Sequence, residues 1–224
     1  MINVTDYTIK YTKAGDPIPV VNGVHLHSIY NPQKEAETYL EKNKQIVDEK
    51  DLLLILGLGF GYHLNQITNY LEEKKLKRSI MIIEPNIKVF RDYLKVINFS
   101  GISNEDSNNE AIKLTNEITC YAGYGAQSLY EDKTFIQFLC GKPGILHHPV
   151  SLNLYQEFFK CFLKYTAPKD IKSISKNSKH SFIKNGLSFS QDNSTWDTLK
   201  DANKTSTREN IKFEFLLKSF EALN

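Results

Sequence analysis

The run LLLILGLGFGYHL occupies residues 52–64, and a second apolar run, SIMIIEPN, occupies residues 79–86 after an interval rich in charge. Each run contains a short continuous series of apolar residues, which is typical of a strand buried in a parallel sheet. Three alternate glycines, Gly57, Gly59 and Gly61, stand where the first strand should turn into a helix, because a residue without a Cβ lets the backbone turn tightly and admit a ligand. Together the two runs predict a Rossmann-like βαβ unit.

Glu84 stands at the C-terminal end of the second predicted strand. In doubly wound sheets that bind nucleotides, an acidic residue roughly 20 or more positions after the glycines contacts the ribose hydroxyls. We therefore predict a cofactor-binding site made of Gly57, Gly59, Gly61 and Glu84. A purely structural tight turn is the alternative interpretation of the same residues.

The spacing of the glycines distinguishes between classes of cofactor. Tyr62 replaces the third glycine of the dinucleotide pattern G-x-G-x-x-G, which disfavours NAD and FAD. The spacing suits an S-adenosylmethionine-dependent methyltransferase, although Ile55 stands where the first motif of those enzymes usually carries an acid. The sequence offers no convincing pair of nucleophile and base, so the catalytic residues stay unassigned.

The order of the predicted elements favours an α/β fold with a doubly wound, mainly parallel sheet. A β-rich segment and a helix that begins at Asn31-Pro32 should occupy residues 1–50, and the Rossmann-like core residues 51–166. Within the core we expect helices at 62–73, after Pro85 and at 110–118, strands near 118–121 and 144–148, and an aromatic helix capped by Ser151. A polar linker at 167–206 and an amphipathic helix at 207–224, suited to association with a partner, complete the prediction.

Composition excludes several classes of protein. The 224 residues carry a formal net charge of +2, which gives no argument for nucleic acid as a partner. No apolar run is long enough to span a bilayer, and the N-terminus lacks the apolar core of a signal peptide, so we expect a cytoplasmic protein. Cys120, Cys140 and Cys161 are widely spaced, which favours buried thiols over a disulfide framework or a zinc knuckle.

Two groups of histidines are candidate sites. His25 and His27 alternate in VHLHS and would share one face of a strand, but no third ligand is evident, so no metal site is predicted. His147 and His148 end a predicted strand, where one of the two would face a ligand cleft because adjacent strand residues point in opposite directions.

An aromatic loop lies near the same end of the predicted sheet. Tyr121 and Tyr124 flank glycines in CYAGYG and are candidates for stacking on a base or sugar. Covering the core is the alternative role of these rings.

Four segments resemble one known family: PIPVVNGVHLHSIYNPQKEA at 17–36, ILGLGFGYHL at 55–64, MIIEPN at 81–86 and GILHHPVSLNLYQEFF at 144–159. They resemble the N-terminal region of the motility accessory factor family, glycosyltransferase-like proteins related to pterin diphosphokinase-like proteins. The resemblance implies a role in attaching nonulosonic sugars to flagellin. It also implies that the loop glycines, Glu84 and the HLHS segment of this chain are markers of the family's fold.

Nothing after Pro168 resembles the sialyltransferase-like catalytic domain of that family. We therefore expect a Rossmann-like domain that is accessory to flagellin glycosylation, with flagellin or a catalytic protein as its partner and a nucleotide sugar or S-adenosylmethionine as its possible ligand. A methyltransferase-like enzyme and a non-enzymatic interaction module are the alternative hypotheses.

Overall fold

The computed structural model describes residues 2–98 and 109–166. A five-stranded sheet forms the centre of this region. Its strands are β4 (Leu52–Leu56), β5 (Ser79–Glu84), β6 (Glu110–Lys113), β7 (Ile118–Ala122) and β8 (Gly144–His147). They lie in the order β6-β7-β5-β4-β8, and all neighbours are parallel except the antiparallel pair β6 and β7. The predicted α/β fold with a mainly parallel sheet is confirmed.

A separate antiparallel sheet precedes the central one, as the β-rich start of the sequence predicts. It consists of β1 (Tyr7–Tyr11), β2 (Pro17–Val21) and β3 (Val24–His25). Its inward residues Ile18, Val21 and Leu26 join the apolar cluster on one face of the central sheet.

Helices cover both faces of the central sheet. They are α1 (Pro32–Glu49), α2 (Tyr62–Lys74), α3 (Ile87–Val96), α4 (Ala126–Leu129), α5 (Lys133–Cys140), α6 (Pro149–Leu154) and α7 (Gln156–Leu163). Leu53 and Ile55 pack on the face that α1, α2 and α3 cover, whereas Leu54 and Leu56 pack under α5 and α7. Burial on both faces explains why β4 is a continuous apolar run. None of the helices in the described ranges is long and apolar enough to cross a membrane.

The start of α1 confirms the predicted cap. The Asn31 side chain accepts a hydrogen bond from the Lys34 N–H at 2.8 Å, and Pro32 takes the first helical position. Replacing Asn31 by alanine leaves that N–H without its acceptor, and we expect a loss of about 1 kcal/mol of unfolding free energy. Urea unfolding measures the loss; Asn31→Asp, which keeps an acceptor, should lose much less. Equal losses in the two variants would show that the cap does not stabilise the helix.

Two local predictions were wrong. Residues 110–118 do not form a helix, because Ala111 pairs with Tyr121 and Ile112 with Cys120 in an antiparallel hairpin, and strand pairing outweighs the weak helical pattern. Ser151 does not cap the aromatic helix; it lies inside α6, which ends before Tyr155.

Other expectations have mixed outcomes. Cys120 is buried as predicted, but Cys140 and Cys161 are exposed. The sequence did not predict α4 and α5. The predicted linker at 167–206 and helix at 207–224 lie outside the described residues.

Candidate functional site: the glycine loop and a buried histidine cluster

The loop between β4 and α2 has the backbone that its glycines predict. Gly57, Gly59 and Gly61 have φ angles of +89°, +55° and +69°. A Cβ at Gly57 would overlap the side chain of Ser151, one at Gly59 would overlap the His27 ring, and one at Gly61 would overlap the Tyr93 ring. The space that the glycines open is therefore filled by other side chains of the protein.

Every amide N–H of residues 57–61 donates to an acceptor within the protein. Gly57 donates to the Ile83 carbonyl at 2.8 Å, and Gly61 donates to the Leu58 carbonyl at 2.9 Å. Leu58 and Gly59 donate to Oε2 of Glu84 at 2.8 and 3.1 Å. Phe60 donates to Nε2 of His27 at 2.9 Å. A loop that cradles phosphate presents free N–H groups to it, and these five are already engaged.

Glu84 joins the two loops at the carboxyl ends of β4 and β5. Its side chain is fully buried, and its second oxygen, Oε1, accepts from the Asn86 N–H at 3.0 Å. The structure thus brings Glu84 to the glycines, as the sequence predicts. Contact of Glu84 with a ribose would require an exchange of these hydrogen bonds, so cofactor binding by Gly57, Gly59, Gly61 and Glu84 stays a prediction.

Burial raises the pKa of Glu84 from 4.5 to about 7, against the lowering effect of its bonds to the Asn86, Leu58 and Gly59 amides. The folded state therefore binds this proton more tightly than the unfolded chain does. The resulting stabilisation is complete below the unfolded pKa and disappears as the pH rises through about 7.

We expect Glu84 to make the unfolding free energy fall by about 3 kcal/mol between pH 4.5 and pH 8 relative to Glu84→Gln, which cannot ionise. Urea unfolding of both proteins at several pH values measures the difference. Parallel curves for the two proteins would contradict the assigned pKa.

The tyrosine candidates pack into the core. Tyr121 is buried, and its hydroxyl donates to Oδ1 of Asp132 at 3.0 Å. Tyr124 is half-buried and contacts the Tyr121 ring edge-on, with ring centroids 5.3 Å apart. Both rings belong to the apolar cluster under α5 and α7. Their stacking on a ligand stays a prediction.

The histidines are arranged differently from the sequence prediction. Strand β3 ends at His25, so His27 lies beyond it and turns inward, where it is buried. His147 is exposed and His148 is buried, consistent with the opposite directions expected of neighbouring residues. His63, which the sequence analysis did not single out, is buried at the second position of α2.

Three of these side chains form a buried cluster, here called the histidine cluster: His27, His63 and His148. Their nearest ring nitrogens lie within 4.8 Å of one another. The rings of His63 and His148 are stacked, with centroids 4.9 Å apart, and the His27 ring lies 4.8 Å from that of His148. In the sequence, the only feature that sets His63 apart is its position two residues after Gly61, the last glycine of the loop.

Burial keeps the histidine cluster uncharged near neutral pH. It lowers the pKa of His63 to about 3, with a further lowering by His27. It also lowers the pKa of His148 well below 6.5, and that of His27 below 6.5 despite the nearby Glu35 carboxylate. Each ring therefore carries one N–H and one lone pair.

A cavity of about 310 Å³ adjoins the cluster and is lined in part by Glu35, Tyr39 and Lys42. Two buried polar atoms in its lining residues, Nδ1 of His63 and the Tyr39 hydroxyl, have no hydrogen-bond partner among the described residues. Buried polar groups are nearly always paired, so these two atoms indicate a place for a water molecule, an ion or a ligand beside the cavity.

Comparison with protein families matches residues 2–117 to the family described as Glycosyltransferase Maf N-terminal domain, just over half of the chain. Among solved structures, the crystal structure of MNMC2 from Aquifex aeolicus is similar with a TM-score of 0.37 and 16% sequence identity, over 57% of this chain and 46% of that one. No curated protein matches the chain. The family match includes the glycine loop, Glu84, His27 and His63, and it ends before His148.

Proposed function

The chain belongs to the glycosyltransferase Maf N-terminal domain family, and we propose that it is a non-catalytic accessory domain in protein glycosylation, with flagellin as the acceptor protein. In this role it recognises the acceptor or assembles with the protein that transfers the sugar. The flagellin acceptor is supported by the resemblance of its glycine-loop, strand and HLHS segments to motility accessory factors.

The observation that carries the non-catalytic part of the proposal is the engagement of every amide in residues 57–61 by the protein itself. A glycine loop that binds the phosphates of a nucleotide sugar uses such amides. The Glu84 carboxylate, which would hold the ribose, accepts hydrogen bonds at both oxygens. In this proposal the glycine motif is a scaffold that locks β4, β5 and α2 together.

A cytoplasmic location belongs to the same proposal. Cys140 and Cys161 are exposed free thiols, and such thiols persist in a reducing compartment.

Two experiments test the proposal. Calorimetry of the purified chain with a CMP-linked nonulosonic acid and with S-adenosylmethionine should give no binding heat; saturable binding of either would instead support the sugar-transfer or methyltransferase hypothesis. Deleting the gene should reduce the glycan mass on flagellin, read by mass spectrometry, and the wild-type gene should restore it. Unchanged glycan mass in the deletion strain would overturn the role in glycosylation.

A further inference from the structure

We propose that His27, His63 and His148 bind a zinc ion or a divalent ion of the same class. The three side chains come from separate parts of the chain, the turn after β3, the start of α2 and the residue before α6. All three are almost fully buried, and one ring nitrogen of each lies within 4.8 Å of those of the other two. Neutral imidazoles are the usual nitrogen ligands of zinc, and three of them with an open fourth position form a known type of zinc site.

His63 already has the hydrogen bonding of a metal ligand. Its Nε2–H donates to the Gly57 carbonyl at 3.2 Å, because a carbonyl can only accept. The lone pair of the neutral ring is therefore on Nδ1, which is buried and has no partner among the described residues. A backbone carbonyl on the far nitrogen is one of the groups that orient histidines in metal sites. A purely structural role of the ring leaves this lone pair unexplained.

His148 is oriented in a similar way. Its Nδ1 lies 2.8 Å from the Ser151 hydroxyl, so an Nδ1–H that donates to this oxygen leaves the Nε2 lone pair for an ion. The hydroxyl is fixed because Ser151 is fully buried within α6. Ser151 therefore orients the His148 ring and does not cap a helix as predicted.

His27 is the ligand that changes partner when the ion binds. In the structure its Nε2 accepts from the Phe60 N–H at 2.9 Å, so its proton lies on Nδ1. Nδ1 faces Oε2 of Glu35 at 3.7 Å, and the Ser28 N–H holds that oxygen at 2.9 Å. If the ion replaces the Phe60 N–H at Nε2, His27 becomes the middle of a carboxylate–histidine–metal arrangement, which is common at zinc sites. Because this replacement breaks the hydrogen bond from the Phe60 N–H to His27, ion binding changes the hydrogen bonding of the glycine loop.

Ion binding requires a short movement of each ring nitrogen and a rotation of one ring. Zinc binds histidine nitrogens at 2.0–2.1 Å, whereas a point equidistant from three atoms 4.8 Å apart lies about 2.8 Å from each. Each nitrogen must therefore move inward by less than about 1 Å. The rings of His63 and His148 are nearly parallel, with an interplanar angle of 3°, so one of them must also rotate to direct its lone pair at the ion. The adjoining cavity has room for a fourth ligand, and the hydroxyl of Tyr39 in its lining, which has no partner in the part of the chain that the structure describes, offers that ligand a hydrogen bond. Such an open position is typical of zinc sites that bind an exchangeable ligand.

The test uses the full chain without an affinity tag, stripped with a chelator. We expect calorimetry to show one Zn²⁺ ion bound per chain, and bound Co²⁺ to show the visible absorption of a low-symmetry site. His63→Gln and His148→Gln should each weaken binding by about 100-fold or more, and Glu35→Gln by about 10-fold. His147→Gln is the matched control, because His147 is adjacent in sequence but exposed. It should bind as the wild type does.

Two further measurements keep the proposal testable if a variant fails to fold. X-ray absorption of the zinc-loaded wild type should show imidazole scattering from three ligands, and the NMR signal of the Phe60 amide should shift on zinc binding. Absence of stoichiometric binding by the wild type would overturn the proposal. Unchanged affinity in folded His63→Gln, or an equal loss of affinity in His147→Gln, would also overturn it.

Discussion

Replacing Gly57 by alanine should lower the unfolding free energy by about 3 to 4 kcal/mol, whereas the same replacement at Gly15 should lower it by only about 1 to 2 kcal/mol. The two glycines have nearly the same φ angle, +89° and +92°. Both angles lie in the region that strains an L-residue. They differ in their surroundings, so the pair separates backbone strain from packing.

The packing difference is large. A Cβ at Gly57 would overlap the side chain of Ser151, whereas a Cβ at Gly15 would meet nothing within 4 Å. Ser151 is fully buried and cannot move aside without disturbing its contact with His148. Overpacking of this kind destabilises a fold by about 1 to 3 kcal/mol beyond the strain.

Urea unfolding of both variants at one pH measures the difference between them. Equal losses at Gly57 and Gly15 would mean that the loop has room for a side chain. The glycines would then be explained better by space for a ligand than by packing.

Glu84→Ala should also be strongly destabilising, by about 4 kcal/mol at pH 6. The side chain accepts hydrogen bonds from the amides of Leu58, Gly59 and Asn86, and truncation leaves all three buried N–H groups without their acceptor. It also leaves a cavity where a fully buried side chain was. Glutamine in its place should retain part of the stability, because its one carbonyl oxygen can still accept from the glycine loop.

Glu73→Ala is the control for this variant, because Glu73 is an exposed residue on α2. It should change the unfolding free energy by no more than about 0.5 kcal/mol. A loss at Glu84→Ala as small as that of the control would contradict the role of Glu84 as the acceptor that holds the two loops together.

The sequence predicted the centre of this fold because the centre is built from local patterns. Two apolar runs, the three glycines and the helical spacing after each run define β4, α2, β5 and α3 without reference to distant residues. The Asn31 cap was predictable for the same reason, since cap and helix are neighbours in the chain.

The errors arose where a specific strand pairing or side-chain contact, and not local propensity, decides the structure. Residues 110–113 have a plausible helical pattern, but pairing with β7 makes them a strand. Ser151 has the residue type and position of a cap, yet its hydroxyl contacts His148 within an established helix. Local propensity cannot register either interaction.

The histidine cluster was beyond sequence reasoning for a related reason. His27, His63 and His148 are 36 and 85 residues apart along the chain, and the packing of the turn after β3, α2 and α6 around the sheet brings them together. Alternation in the sequence pairs His27 with His25, but β3 ends at His25, and His27 lies with His63 and His148 instead. Likewise, the sequence located Glu84 beside the glycines but gave no sign that their own amides would occupy its oxygens.

In the proposed function the glycine loop is an internally bonded scaffold and not a nucleotide site. The most direct test is an NMR titration of the ¹⁵N-labelled chain with a CMP-linked nonulosonic acid and with S-adenosylmethionine, followed at the amides of Leu58, Gly59 and Asn86, which bond to Glu84. We expect these three signals to stay unchanged at millimolar ligand. Saturable shifts centred on the three amides would contradict the claim and identify the loop as a working nucleoside site.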